Sequence, residues 1–137
     1  GTGVPRSDID LDGSTRFKTY HENVGVVTSA SNVVTLDLSS AQTFSLTVDE
    51  EILSFKLTNP PSGSTAFTVK ITQDSTGYSV GIDTFNDNGG SAIPVYWPGG
   101  GTLPEVTTTA EKTDIYSFMT FDGGSSLYGV VGGQNFA

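Results

Sequence analysis

Four stretches decide the fold: Val34-Thr35-Leu36-Asp37-Leu38, Phe44-Ser45-Leu46-Thr47-Val48, Leu53-Ser54-Phe55-Lys56-Leu57 and Phe67-Thr68-Val69-Lys70-Ile71. Each places an apolar residue at every second position. Successive side chains of a strand point to opposite faces, so each stretch has one apolar face and one Ser/Thr/Lys face. That is the pattern of half-buried antiparallel strands.

The punctuation around these runs agrees. Asn59-Pro60-Pro61-Ser62-Gly63 cannot be strand interior, because proline donates no ladder hydrogen bond. Gln73-Asp74-Ser75-Thr76-Gly77 reads as a hairpin turn leading to a strand over residues 78–82. Asn86-Asp87-Asn88-Gly89-Gly90 reads as a loop, residues 94–97 as a short extended piece, and Pro98-Gly99-Gly100-Gly101 as a sharp break. A last hairpin joins residues 115–121 to 127–131 across Asp122-Gly123-Gly124-Ser125-Ser126. In its first strand Ile115, Met119 and Phe121 share one face, with Tyr116 and Phe118 on the other. Two apolar faces predict a central strand or one that meets a neighbouring subunit. The pattern predicts an all-β protein of eight to nine short strands with essentially no helix, an antiparallel β-sandwich or jelly-roll-like fold. Residues 1–22 show no sustained period and read as an arm or linker, with the β-sandwich domain over 23–137.

Composition narrows the function. The chain has 137 residues, 6 basic and 15 acidic side chains, a net charge of −9 and no cysteine. One domain of this length buries a core without staples. The charge argues against nucleic acid, whose phosphates need clustered Lys and Arg, and against anionic membrane surfaces. No apolar run approaches the roughly 20 residues of a membrane helix. Disulfides, thiolate zinc sites and a cysteine nucleophile are excluded. The chain begins with Gly1 rather than Met, so it is expected to be processed or part of something longer, and no basic-then-apolar signal segment is visible.

Candidate chemistry is sparse. Asp8, Asp10 and Asp12 followed by Gly13 open like a calcium loop, in which alternate oxygen ligands fold around one ion. The twelfth position is Thr19 rather than a bidentate Glu, so a solvated acidic linker is the plainer reading and no cofactor is expected. Asp83, Asn86, Asp87 and Asn88 form a second polar cluster, of residue types that loops also use for their geometry. His21 is the only histidine, and no serine stands in a nucleophile elbow, so no catalytic triad is expected. The acids fall mostly in turns and at strand starts, which argues against a glycosidase pair. Tyr96 and Trp97 before the Pro98 break are placed either to stack on a sugar or to plug the end of a sandwich.

One resemblance adds to this. Trp97-Pro98-Gly99-Gly100-Gly101-Thr102-Leu103-Pro104, the threonine-rich stretch 107–109, Lys112-Thr113-Asp114-Ile115, Phe121-Asp122-Gly123-Gly124 and the ending 128–136 follow one another in order. Upstream, Tyr20-His21-Glu22-Asn23-Val24 and the 34–48 hairpin fit the same pattern. Over roughly residues 18–137 the chain resembles a C-terminal β-module of bacteriophage tail-fibre and virion structural proteins. Longer loops at Gly101 and residues 83–91, and the charges of Glu105 and Glu111, depart from that module.

The resemblance implies a non-enzymatic, extracellular virion protein, most simply a homotrimeric tail-fibre domain. The arm would meet other virion proteins, and distal loops a host glycan or protein. Receptor-contact candidates are Asp83, Asn86, Asp87, Asn88, Tyr96 and Trp97; oligomer-interface candidates are Tyr116, Phe118, Tyr128 and Val130. Alternatives are a capsid decoration or head-fibre protein and, from another class, a secreted calcium-dependent carbohydrate-binding module.

Overall fold

The computed structural model describes residues 11–137. Eleven strands form among them: β1 (Val24–Val27), β2 (Ser29–Ala30), β3 (Val33–Asp37), β4 (Thr43–Val48), β5 (Ser54–Thr58), β6 (Thr65–Gln73), β7 (Phe85–Asn86), β8 (Ala92–Ile93), β9 (Val95–Tyr96), β10 (Thr113–Thr120) and β11 (Leu127–Phe136). The count exceeds eight to nine because four of them are two-residue pairings that alternation cannot reveal. The expected strand over 78–82 does not form; Val80 makes only an isolated bridge to Ile52. The one helical turn among the described residues, Pro98–Gly101, carries Gly99 and Gly100 at φ of 70° and 76°, so the break read from the sequence is a break in space.

The strands build a six-stranded sheet, ordered β1-β4-β6-β10-β11-β9, and a five-stranded sheet, ordered β2-β3-β5-β7-β8. The pairing differs from expectation. β1 with β4, β4 with β6, β3 with β5, β5 with β7, and β9 with β11 are parallel pairs. The reason is the route of the chain. From β3 to β7 each connection crosses from one sheet to the other, so every second strand returns in the same direction beside its predecessor. The antiparallel jelly-roll pairing read from the sequence assumed that consecutive strands are neighbours, and here they are not. Antiparallel ladders are confined to β2/β3, β7/β8 and the β6/β10/β11 group.

Both sheets bury their apolar faces in one core, to which β3 contributes Val34 and Leu36, β4 Phe44, Leu46 and Val48, β5 Phe55 and Leu57, and β6 Phe67, Val69 and Ile71. Aromatic rings join the sheets. Phe85 of β7 lies 4.9 Å from Phe118 of β10, which stacks on Phe67 of β6 at 5.2 Å. The predicted alternation holds in β3, β4 and β6 and for Phe55 and Leu57 of β5, but Leu53, expected on the same face, is exposed ahead of β5 because Ile52 turns inward instead, and β11 alternates only over residues 127–130. β10 is central, as its two apolar faces imply. Among the described residues no helix is long and apolar enough to cross a membrane.

Candidate functional site

The outer face of the six-stranded sheet changes character across its width. On β4 and β6 it carries Thr43, Ser45, Thr47, Thr68, Lys70 and Thr72. At the β9 edge it turns apolar. Register places Ala66, Met119, Tyr128 and Tyr96 in one row across β6, β10, β11 and β9. The Tyr96 and Tyr128 rings lie 5.4 Å apart, and Phe121 meets Tyr128 edge-on at 5.9 Å. Phe121, Tyr96, Tyr128, Met119 and Val130 are all exposed, from 64% down to 41%. Large apolar side chains scattered singly over a surface need no explanation; a cluster of aromatics does.

Trp97 holds this patch from beneath. It is buried, and its ring meets Phe118 edge-on at 5.7 Å. A Cβ on Gly129 would come within 2.6 Å of that ring, so only glycine lets the indole lie under β11. Trp97 is therefore the plug and not a contact residue. Its Nε1 has no partner among the described residues.

Two of the interface candidates are also corrected. Tyr116 and Phe118 have no exposed surface, because the apolar face they share is the one turned to the core. The exposed face of β10 carries Met119 instead, with Phe121 just beyond the strand. Tyr128 and Val130 stand on the exposed face with Tyr96, which sequence reasoning had assigned to a different site. Strand pairing, not sequence distance, brings them together.

The polar loop candidates separate. Asp87 and Asn88 line a groove of about 440 Å³ with Leu57, Asn59, Pro60 and Ile93, closed on one side by residues 123–125 of the last hairpin. Asp83 and Asn86 do not line it. Asp87 also shapes the loop: its Oδ1 accepts from the Gly89 and Ser91 amides, each at 2.9 Å. The groove's size is that of small-molecule sites, and its lining mixes amides with aliphatic carbons.

A buried carboxylate fixes the opposite end of β10. Asp114 accepts at Oδ2 from the Thr107 amide at 2.8 Å and the Tyr116 hydroxyl at 2.7 Å, and at Oδ1 from the Asn135 amide at 2.8 Å. Burial opposes its charge, yet the two amides and the hydroxyl outweigh burial and hold its pKa below the ordinary value. Burial, then the Asp114 hydrogen bond, pushes the Tyr116 hydroxyl well above the ordinary tyrosine range. Gln134 completes the node, donating to the Glu105 carbonyl and the Tyr116 oxygen. This node ties the 105–107 segment and the end of β11 to the core. In the sequence Asp114 stands out only as part of the Lys112-Thr113-Asp114-Ile115 segment, which does not reveal its partners.

Of the calcium candidates, Asp8 and Asp10 lie outside the described residues, and Asp12 is exposed. Among the described residues no group of three His, Asp or Glu is gathered to hold a metal. His21 is exposed in the arm, and the arm meets the body at its base, where Glu22 accepts from the Thr43 hydroxyl. Comparison with family models, curated proteins and solved structures finds no match.

Proposed function

We propose that the chain is a bacteriophage virion structural protein, a homotrimeric tail-fibre domain without catalysis. The observation that carries the self-association is the aromatic cluster of Tyr96, Phe121 and Tyr128, left exposed on a sheet face that no element among the described residues covers. The virion assignment rests on the ordered Trp97-Pro98-Gly99-Gly100, Lys112-Thr113-Asp114-Ile115 and Asp122-Gly123-Gly124 segments. The two sheets serve as the faces of a sandwich, a rigid body suited to an extracellular particle. The arm over 1–22 connects the domain to its copies or to other virion proteins. The groove beside Asp87 and Asn88, lined by polar and aliphatic side chains, is the surface offered to a host glycan or protein. Capsid decoration uses the same features with the arm on a lattice.

Light scattering of the whole chain, with and without calcium, tests this. A mass near three times 14.3 kDa, unchanged by calcium, is expected. A monomer whose melting temperature rises with calcium would replace this reading with a calcium-dependent carbohydrate-binding module.

A further inference from the structure

The charge of the chain is unevenly placed. Residues 23–137 hold three bases against eleven acids, a net of −8. Residues 14–21, Ser14-Thr15-Arg16-Phe17-Lys18-Thr19-Tyr20-His21, hold two bases and no acid. The same eight residues expose two large aromatics, Phe17 at 71% and Tyr20 at 75%. A segment with two bases, flanked by Asp12 and Glu22, thus leads into an acidic body with its two aromatic rings largely exposed. The segment is also rich in Thr and aromatics, the types that fit a pleated sheet surface.

Its attachment and the apolar patch lie at opposite edges of one sheet. The arm enters at β1, one edge of the six-stranded sheet, and Tyr96 and Tyr128 stand at and beside the β9 edge. Copies set edge to edge therefore bring the arm of one beside the patch of the next. Such a contact joins two different surfaces, so it is head-to-tail, and head-to-tail contacts close into rings when the rotation allows.

We propose that residues 14–21 of one copy lie across the outer sheet face of a second copy, with Phe17 and Tyr20 against Tyr96, Phe121 and Tyr128. Arg16 and Lys18 are drawn by the partner's negative charge. The apolar contact supplies the burial, and the charge complementarity selects the partner and makes the contact salt-sensitive. The inference rests on the self-association in the proposed function and names the surfaces that perform it.

Cysteine pairing tests it directly, because the chain has no cysteine of its own. Phe17→Cys and Tyr128→Cys are made in separate full-length chains, mixed and mildly oxidised. Both positions are exposed, so neither exchange opens the core. A disulfide-linked heterodimer is expected from this mixture, and none when Phe17→Cys is mixed with Ser75→Cys, an exposed turn position outside the patch. In parallel, Phe17→Ala/Tyr20→Ala and Arg16→Glu/Lys18→Glu are each expected to weaken association at least tenfold by light scattering. Wild-type oligomers that persist unchanged in both arm variants overturn the inference and leave the homotrimer standing. So does equal cross-linking at Ser75. A wild-type monomer overturns the inference and the homotrimer together. An arm that binds only when another virion protein is added also overturns it.

Discussion

Replacing Asp114 with asparagine tests whether the buried carboxylate is held by charge. The side chain receives the Thr107 amide and Tyr116 hydroxyl on one oxygen and the Asn135 amide on the other. An asparagine keeps one oxygen. Its best orientation turns that oxygen to Thr107 and Tyr116 and sets its NH2 against the Asn135 N–H. One buried donor is then left without an acceptor, at a cost of about 1–3 kcal/mol. The two remaining bonds fall from charge-assisted to neutral strength, a loss of about 1 kcal/mol each. Relief from burying a charge returns part of this. The net expectation is about 3 kcal/mol, or roughly 10 °C in melting temperature for a domain of this size.

The sign with pH follows from the depressed pKa. The unfolded chain takes up the proton first as pH falls, so the stabilisation is complete above the ordinary Asp pKa and is lost as pH drops through the lower folded value. Thermal melts of wild type and Asp114→Asn should therefore differ most at neutral pH, with the gap narrowing below about pH 4. A variant as stable as wild type at pH 7, or a gap constant from pH 7 to pH 2, would refute the account.

Other outcomes follow from the packing. Phe118→Ala removes the ring between the sheets and should cost about 3–5 kcal/mol in urea unfolding, whereas Tyr128→Ala should cost less than about 1 kcal/mol as a monomer. If the two costs are equal, the assignment of core and exposed faces on β10 and β11 is wrong. Gly129→Ala drives a methyl into the Trp97 ring; about 1–3 kcal/mol of destabilisation is expected, with a red-shifted tryptophan emission as the plug lifts. Unchanged emission and stability would show that Trp97 does not need the glycine. Tyr116→Phe removes a donor to Asp114 and should raise that carboxyl's pKa, read by NMR titration, toward the ordinary value.

Much of the candidate site was legible, though in pieces. Tyr96, Tyr128 and Val130 each stand out as apolar residues beside turns, and Phe121 shares its strand face with Met119. What alternation could not show was which face of β10 points inward, because both are apolar. Tyr116 and Phe118 were therefore placed in an interface when they belong to the core. Asp114 was hidden for a different reason. Its partners come from residues 107, 116 and 135, and only one of these is near it in sequence.

The sequence by itself determined the all-β class, the inward sets of β3, β4 and β6, the turns at 59–63 and 122–126, and the exclusion of cysteine chemistry. These are local properties, set by side-chain period, backbone restriction and residue type. Only the tertiary structure decided that neighbouring strands run parallel, that Trp97 is buried under Gly129, and that Tyr96 meets Tyr128. Those depend on where the chain goes after each turn. A turn between two strands of one sheet and a turn that crosses to the other sheet use the same residues, and the difference lies in which apolar faces close over the shared core.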